Sequence, residues 1–136
     1  MRDVAYIALG SNVGDRAAYL ALARERLAAL PRSRLRAVSS IEETAPLGPV
    51  EQDPFLNQMA ALETELEPSE LLDALHAIER AAGRVRRERW GPRTLDLDIV
   101  LFERTTVSTD RLVVPHPELP HRDFWRRELD ELRGGS

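Results

Sequence analysis

Apolar positions along the chain fall into short runs with two different periods. Val4 to Leu9 is a mostly apolar stretch that reads as a buried strand, ending in a Gly10-Ser11-Asn12 turn. Asp15 can cap a helix carrying Leu20, Ala23, Leu27 and Leu30 at helical spacing, with Pro31 as its stop. A second strand is predicted from about Leu35 to Glu43 and a third from Leu56 to Leu66. Glu67-Pro68-Ser69-Glu70 then opens a second helix with the stripe Leu71, Leu72, Leu75, Ile78 and Ala82, and Gly83 ends it. From Leu95 the pattern alternates. Leu95, Leu97, Ile99 and Leu101 fall on one face, and Asp96, Asp98, Val100 and Phe102 on the other. Thr105 to Ser108 reads as a hairpin return and Leu112 to Val114 as a short strand closed by Pro115-His116-Pro117. Phe124 to Leu132 reads as a last helix before a flexible Gly134-Gly135-Ser136. The order β-α-β-β-α-β predicts an α+β, ferredoxin-like fold. It has an antiparallel sheet, two helices packed on one face and short C-terminal additions.

Composition narrows the class. The chain has 136 residues, enough for one domain with a real core. It has no cysteine, so disulfide and thiol chemistry are excluded. The apolar N-terminal run is too short for a signal peptide or a membrane span, and the expectation is a cytoplasmic protein that does not engage a membrane. A net charge of −4 argues against general nucleic-acid binding. All 19 basic residues are arginine, so any grip on phosphate uses guanidinium groups. Neither the P-loop nor the dinucleotide glycine pattern occurs.

The densest chemistry lies between Arg89 and Phe102. Side chains two apart on a strand sit roughly 7 Å apart and point the same way, so Asp96 and Asp98 repel unless something offsets their charge. Such a pair is often only the solvated face of a strand. Here the same face continues into Val100 and Phe102, and arginines, Trp90, Gly91 and Pro92 precede it. Hard carboxylate oxygens suit a divalent cation, and magnesium carried with a polyphosphate is the natural candidate. Guanidinium groups beside it suit phosphate oxygens. Thr44 to Pro49, with Pro54 following, forms a proline-rich loop of the kind that often carries function. Phe55 and Trp90, read as loop aromatics, are either core anchors or stacking platforms for a flat heterocycle, and Asn57 can meet such a ring with an amide. His116 is held between two prolines, whereas His76 and His121 carry no assignment and Glu79 reads as part of a solvated helix face.

The run Arg89-Trp90-Gly91-Pro92-Arg93-Thr94-Leu95-Asp96-Leu97-Asp98 resembles the signature of the 6-hydroxymethyl-7,8-dihydropterin pyrophosphokinase family. Ala8-Leu9-Gly10-Ser11-Asn12, Thr44-Ala45-Pro46-Leu47-Gly48-Pro49, Phe55-Leu56-Asn57, Gly83-Arg84-Val85-Arg86 and Val114-Pro115-His116-Pro117 with Arg122 and Phe124 match it in the same order. The resemblance implies transfer of diphosphate from ATP to the hydroxymethyl oxygen of the pterin, with release of AMP, in folate biosynthesis. It implies that Asp96 and Asp98 hold two magnesium ions and that Arg84 and Arg93 act on the phosphates. Arg111, His116 and Arg122 would lie on the ATP side. The pterin would lie between Phe55 and Phe124, against Gly10, Thr44, Ala45, Leu47 and Asn57, with Trp90 folding over it. Asp96 would be placed to take the hydroxyl proton.

The match is weakest at the end. Phe55 stands where the family often has tyrosine, and the segment from Gly83 to Trp90 is a residue shorter than in some members. After Phe124 the family usually continues through an apolar segment, whereas Trp125-Arg126-Arg127-Glu128-Leu129 is charged. The expectation is a single domain over residues 1–136 with a shortened tail from about residue 125, monomeric, with dimerisation as the alternative. Two rival readings are a magnesium-dependent transferase with another acceptor and a non-catalytic nucleotide-binding module.

Overall fold

The computed structural model describes residues 2–45, 54–83 and 94–134. Strand β1 spans Asp3–Ser11 and helix α1 spans Arg16–Ala28. Strands β2 (Ser33–Val38), β3 (Glu42–Thr44) and β4 (Phe55–Thr64) follow, then helix α2 (Pro68–Ala81). Strand β5 is Asp96–Phe102, β6 is Val107–Ser108, β7 is Val113–Val114, and helix α3 is Asp123–Gly134. A 3-10 turn at Leu119–His121 precedes α3.

Local chemistry explains the helix ends. The Asp15 carboxylate accepts the Ala18 N–H at 3.1 Å and starts α1. Glu67 and Glu70 form a reciprocal capping box around Pro68, where a missing N–H costs nothing. Gly83, at φ +77, takes the left-handed conformation that ends α2.

The main sheet runs β2-β4-β1-β5, with β3 also paired to β4, and every pairing is antiparallel. This is the α+β class predicted. Two boundaries differ from the reading of the sequence. Gly10 and Ser11 are not a turn but the end of β1, because β4 and β5 pair with Gly10 from both sides. The single strand expected from Leu35 to Glu43 is two. At the break, buried Ser39 takes over the pairing: its N–H donates to the Met59 carbonyl and its hydroxyl accepts the Met59 N–H, each at 2.8 Å.

Each face of the sheet buries its own core. Ile7, Leu9, Leu62, Leu97 and Ile99 pack against Leu20 and Leu27 of α1 and Leu71 and Leu75 of α2. On the opposite face Tyr6, Ala8, Met59, Ala61 and Val100 pack against Trp125 and Leu129 of α3. The C-terminal segment is therefore more than an addition, since it covers the apolar core on that face. Burying each large apolar side chain contributes on the order of 1.5–3 kcal/mol.

The alternation predicted for β5 also breaks. Tyr6 pairs with Leu101 and Ile7 with Ile99, so Val100 is an extra residue, a bulge. It returns Phe102 to the core shared with α1 and α2, while Val100 and Leu101 join the core under α3. Among the described residues no helix is long and apolar enough to cross a membrane.

Candidate active site

The register of the sheet gathers residues from distant parts of the sequence. Thr44 pairs with Phe55, and Asn57 pairs with Glu42 on one side and Gly10 on the other. Gly10 in turn pairs with Asp96, and Ala8 with Asp98. Cross-strand partners share a face. Phe55 and Asn57 have the parity of Met59 and Ala61, and Gly10 that of Ala8, so these positions lie on the α3 face of the sheet. Asp96 and Asp98 have the parity of Val100 and lie there too.

Gly10 leaves a gap in the middle of that row. A β-carbon there would stand 3.3 Å from Asn57 Oδ1 and 3.5 Å from the Phe55 ring. The absence of a side chain thus keeps a flat floor between the amide and the first carboxylate. Asn57 is buried and donates from Nδ2 to the Thr44 hydroxyl, which fixes the orientation of both. Phe55, expected in a loop, is the first residue of β4 and half-buried. Ala45 is exposed just beyond β3.

The other wall of the site is the free edge of β5. A groove of about 360 Å³ runs along it, lined by Asp96, Asp98, Glu79, His76, Arg111 and His116 among others. Glu79 does not lie on a solvated face as expected. It is 4% exposed, and its carboxylate accepts the Leu97 N–H at 2.8 Å. That N–H lies between Asp96 and Asp98 on an edge that no strand covers among the described residues, and a buried acceptor from α2 satisfies it. Nothing in the sequence signals this; the helical period puts Glu79 beside Ile78 and Ala82, and only packing shows that β5 lies against it.

His116 is fixed from two directions. Its N–H donates to the Val100 carbonyl at 2.9 Å, so the β5 bulge is its anchor. Its ring Nδ1 accepts the Glu118 N–H at 3.0 Å, which leaves the proton of a neutral ring on Nε2. Nε2 faces Asp98 Oδ1 at 3.8 Å. Burial holds the His116 pKa below its ordinary value, and Arg122 adds to this, while Glu118 and Asp96 act in the opposite sense.

Arg122 and Phe124 flank the same region at the start of α3. The Arg122 guanidinium carbon lies 4.4 Å over the Trp125 ring, and the Phe124 and Trp125 rings meet edge-on at 6.3 Å. Trp125, which the sequence reading left among charged tail residues, is buried and meets the His116 ring edge-on at 5.0 Å. Arg111 lines the groove while paired with Asp73 at 2.5 Å, an exposed contact of small energetic value. Arg84, Trp90 and Arg93 lie outside the described residues, as does Leu47.

The donor set fits magnesium. Asp96 and Asp98 present hard oxygens from adjacent same-face positions, both half-exposed at the groove. Among the described residues no cluster of three or more potential ligands forms a closed cage. Two carboxylates with open space beside them match an ion that keeps waters and takes its remaining ligands from phosphate.

Comparison with known proteins shows the family. The chain is 47% identical over 132 residues to the 2-amino-4-hydroxy-6-hydroxymethyldihydropteridine pyrophosphokinase of Bacillus subtilis, covering 97% of this chain and 79% of that protein. It is 50% identical over 128 residues to the protein of the same name from Methylorubrum extorquens, covering 94% and 81%. The corresponding Pseudomonas aeruginosa protein is 50% identical over 127 residues, covering 93% and 78%. Residues 6–134 match the family model described as 7,8-dihydro-6-hydroxymethylpterin-pyrophosphokinase, and the chain belongs to that family.

Proposed function

We propose that this protein transfers diphosphate from ATP to the hydroxymethyl oxygen of 6-hydroxymethyl-7,8-dihydropterin, a step of folate biosynthesis. The pterin hydroxyl oxygen attacks the β-phosphorus of ATP. A bond forms between that oxygen and β-phosphorus, the bond from β-phosphorus to the α–β bridging oxygen breaks, and AMP leaves. The hydroxyl proton passes to a neighbouring acceptor, for which Asp96 is the candidate.

The observation that carries this reading is the row Asn57, Gly10, Asp96. It sets a flat, amide-edged floor directly beside a pair of carboxylates on one face of the sheet. A planar heterocycle fits the floor between Phe55 and Phe124, with Thr44 and Asn57 meeting its polar edge. Asp96 and Asp98 would hold magnesium, two ions by the family resemblance, and the metal would supply positive charge to offset that of the phosphates. His116, which lines the groove, and Arg122, stacked behind it on Trp125, are the candidates for the ATP side. From the resemblance to the family, Arg84 and Arg93 are the candidates for the phosphate oxygens and Trp90 for the pterin. Group transfer of this kind requires alignment and charge neutralisation more than covalent chemistry. The soluble metabolite substrates and the acidic chain fit a cytoplasmic monomer that engages neither nucleic acid nor membrane.

The test is product analysis by chromatography and mass spectrometry with magnesium-ATP. AMP and a pterin diphosphate should appear together, only when the hydroxymethyl pterin is present. ATP breakdown independent of the pterin would overturn the acceptor assignment.

A further inference from the structure

We infer that Trp125 is a positioning residue of the ATP side, one that presets Arg122 and His116 before nucleotide arrives. This rests on the assignment of those two residues to ATP above. The observation is that one buried ring meets both. Trp125 is 2% exposed and wedged under the sheet with Met59, Ala61 and Val100. The His116 ring meets it edge-on, with centroids 5.0 Å apart and planes at 86°. The Arg122 guanidinium lies over its face at 4.4 Å.

An unsupported arginine samples many rotamers, and ordering it on binding costs free energy. Stacked on a fixed indole, the guanidinium is held flat with its donors directed outward from the ring. Arg122 Nε is buried and meets no acceptor among the described residues. A buried guanidinium N–H without a partner is costly to leave so, and the stack on Trp125 offsets part of that cost, while the Nη groups are the donors for phosphate oxygens. The indole also blocks one side of His116, whose other contacts come from the Val100 carbonyl and the Glu118 N–H. Trp125 thereby ties the start of α3 to His116, which lines the groove and is anchored on the β5 bulge.

The experiment is a double-mutant cycle on the full chain with Trp125→Met and Arg122→Ala, measuring KM for ATP, KM for the pterin and kcat. Trp125→Met keeps a large apolar side chain and removes the ring. It should raise KM for ATP about tenfold, as loss of a desolvated cation–π contact would. KM for the pterin should stay within about twofold. In the Arg122→Ala background the same change should raise KM for ATP by a clearly smaller factor, because only its support of His116 remains to be lost. Trp125→Phe, which keeps a ring with a weaker face, should fall between wild type and Trp125→Met, and it carries the test if the methionine variant does not fold. An unchanged KM for ATP in a folded Trp125 variant, or an equal rise with and without Arg122, would overturn the inference. Failure of the wild-type protein to form AMP from ATP and the pterin would instead overturn the function on which it rests.

Discussion

Replacing Glu128 by glutamine should stabilise this protein, and by more as pH rises. Glu128 lies on α3, is 2% exposed and faces Glu42 of β3. Arg127 engages Glu42 Oε1 through Nε and Nη2, each at 3.1 Å. Among the described residues neither Glu42 Oε2 nor either Glu128 oxygen finds an N–H or O–H donor from elsewhere. A proton kept on Glu128 supplies the missing donor and gives it to Glu42. Burial, then the hydrogen bond to Glu42 and its charge, push the Glu128 pKa up to about 9, and the Glu42 value falls. A folded state that holds a proton the unfolded chain releases is favoured by low pH. The contribution is therefore fully present below the unfolded value, 4.5, and is lost as pH rises toward about 9. The slope is at most about 1.4 kcal/mol per pH unit. Allowing for relaxation around the pair, wild type should lose about 2–4 kcal/mol from this group between pH 5 and pH 8. Glu128→Gln keeps an N–H donor for Glu42 and removes the titration. The assay is urea unfolding of both proteins from pH 5 to pH 8, and the difference between them cancels the titrating groups that are not coupled to Glu128. Stability curves that stay parallel across that range would refute the reasoning.

Three further outcomes follow from the site. Asp98→Ala should lower turnover by orders of magnitude while the melting temperature holds or rises, since one of two repelling carboxylates is removed; near-normal kcat would retire its metal role. Gly10→Ala brings a methyl group to 3.3 Å from Asn57 Oδ1, so steady-state kinetics should show a higher KM for the pterin with KM for ATP unchanged. Glu79→Leu removes the acceptor of the Leu97 N–H and should cost about 1–3 kcal/mol in urea unfolding, whereas Glu79→Gln, which keeps an acceptor oxygen, should cost less.

Local signals in the sequence located the elements well. The Asp15 cap, the Glu67–Glu70 box and Gly83 act on residues within one turn, and each behaves as its residue type predicts. The resemblance to the family brought Asp96, Asp98, Asn57 and Gly10 together, and the sheet register places them on adjoining strands. What stayed hidden depends on contacts distant in sequence. The Val100 bulge reverses the face of Phe102 and fixes His116, yet an alternating pattern carries no trace of it. Glu79 looks like any charged helix residue until β5 is laid beside it. The segment from Trp125 to Leu129 reads as charged, but Trp125, Glu128 and Leu129 share one helix face and all three are buried. There the periodicity is present and the charge of Glu128 masks it, because its proton is retained only in the folded protein.

The most direct test of the account is the fate of the β-phosphorus. With ATP labelled by phosphorus-32 at the β position, magnesium and 6-hydroxymethyl-7,8-dihydropterin, the label should pass to the pterin product while unlabelled AMP is released. Label retained in ADP, with a pterin monophosphate formed, would contradict diphosphate transfer at this site.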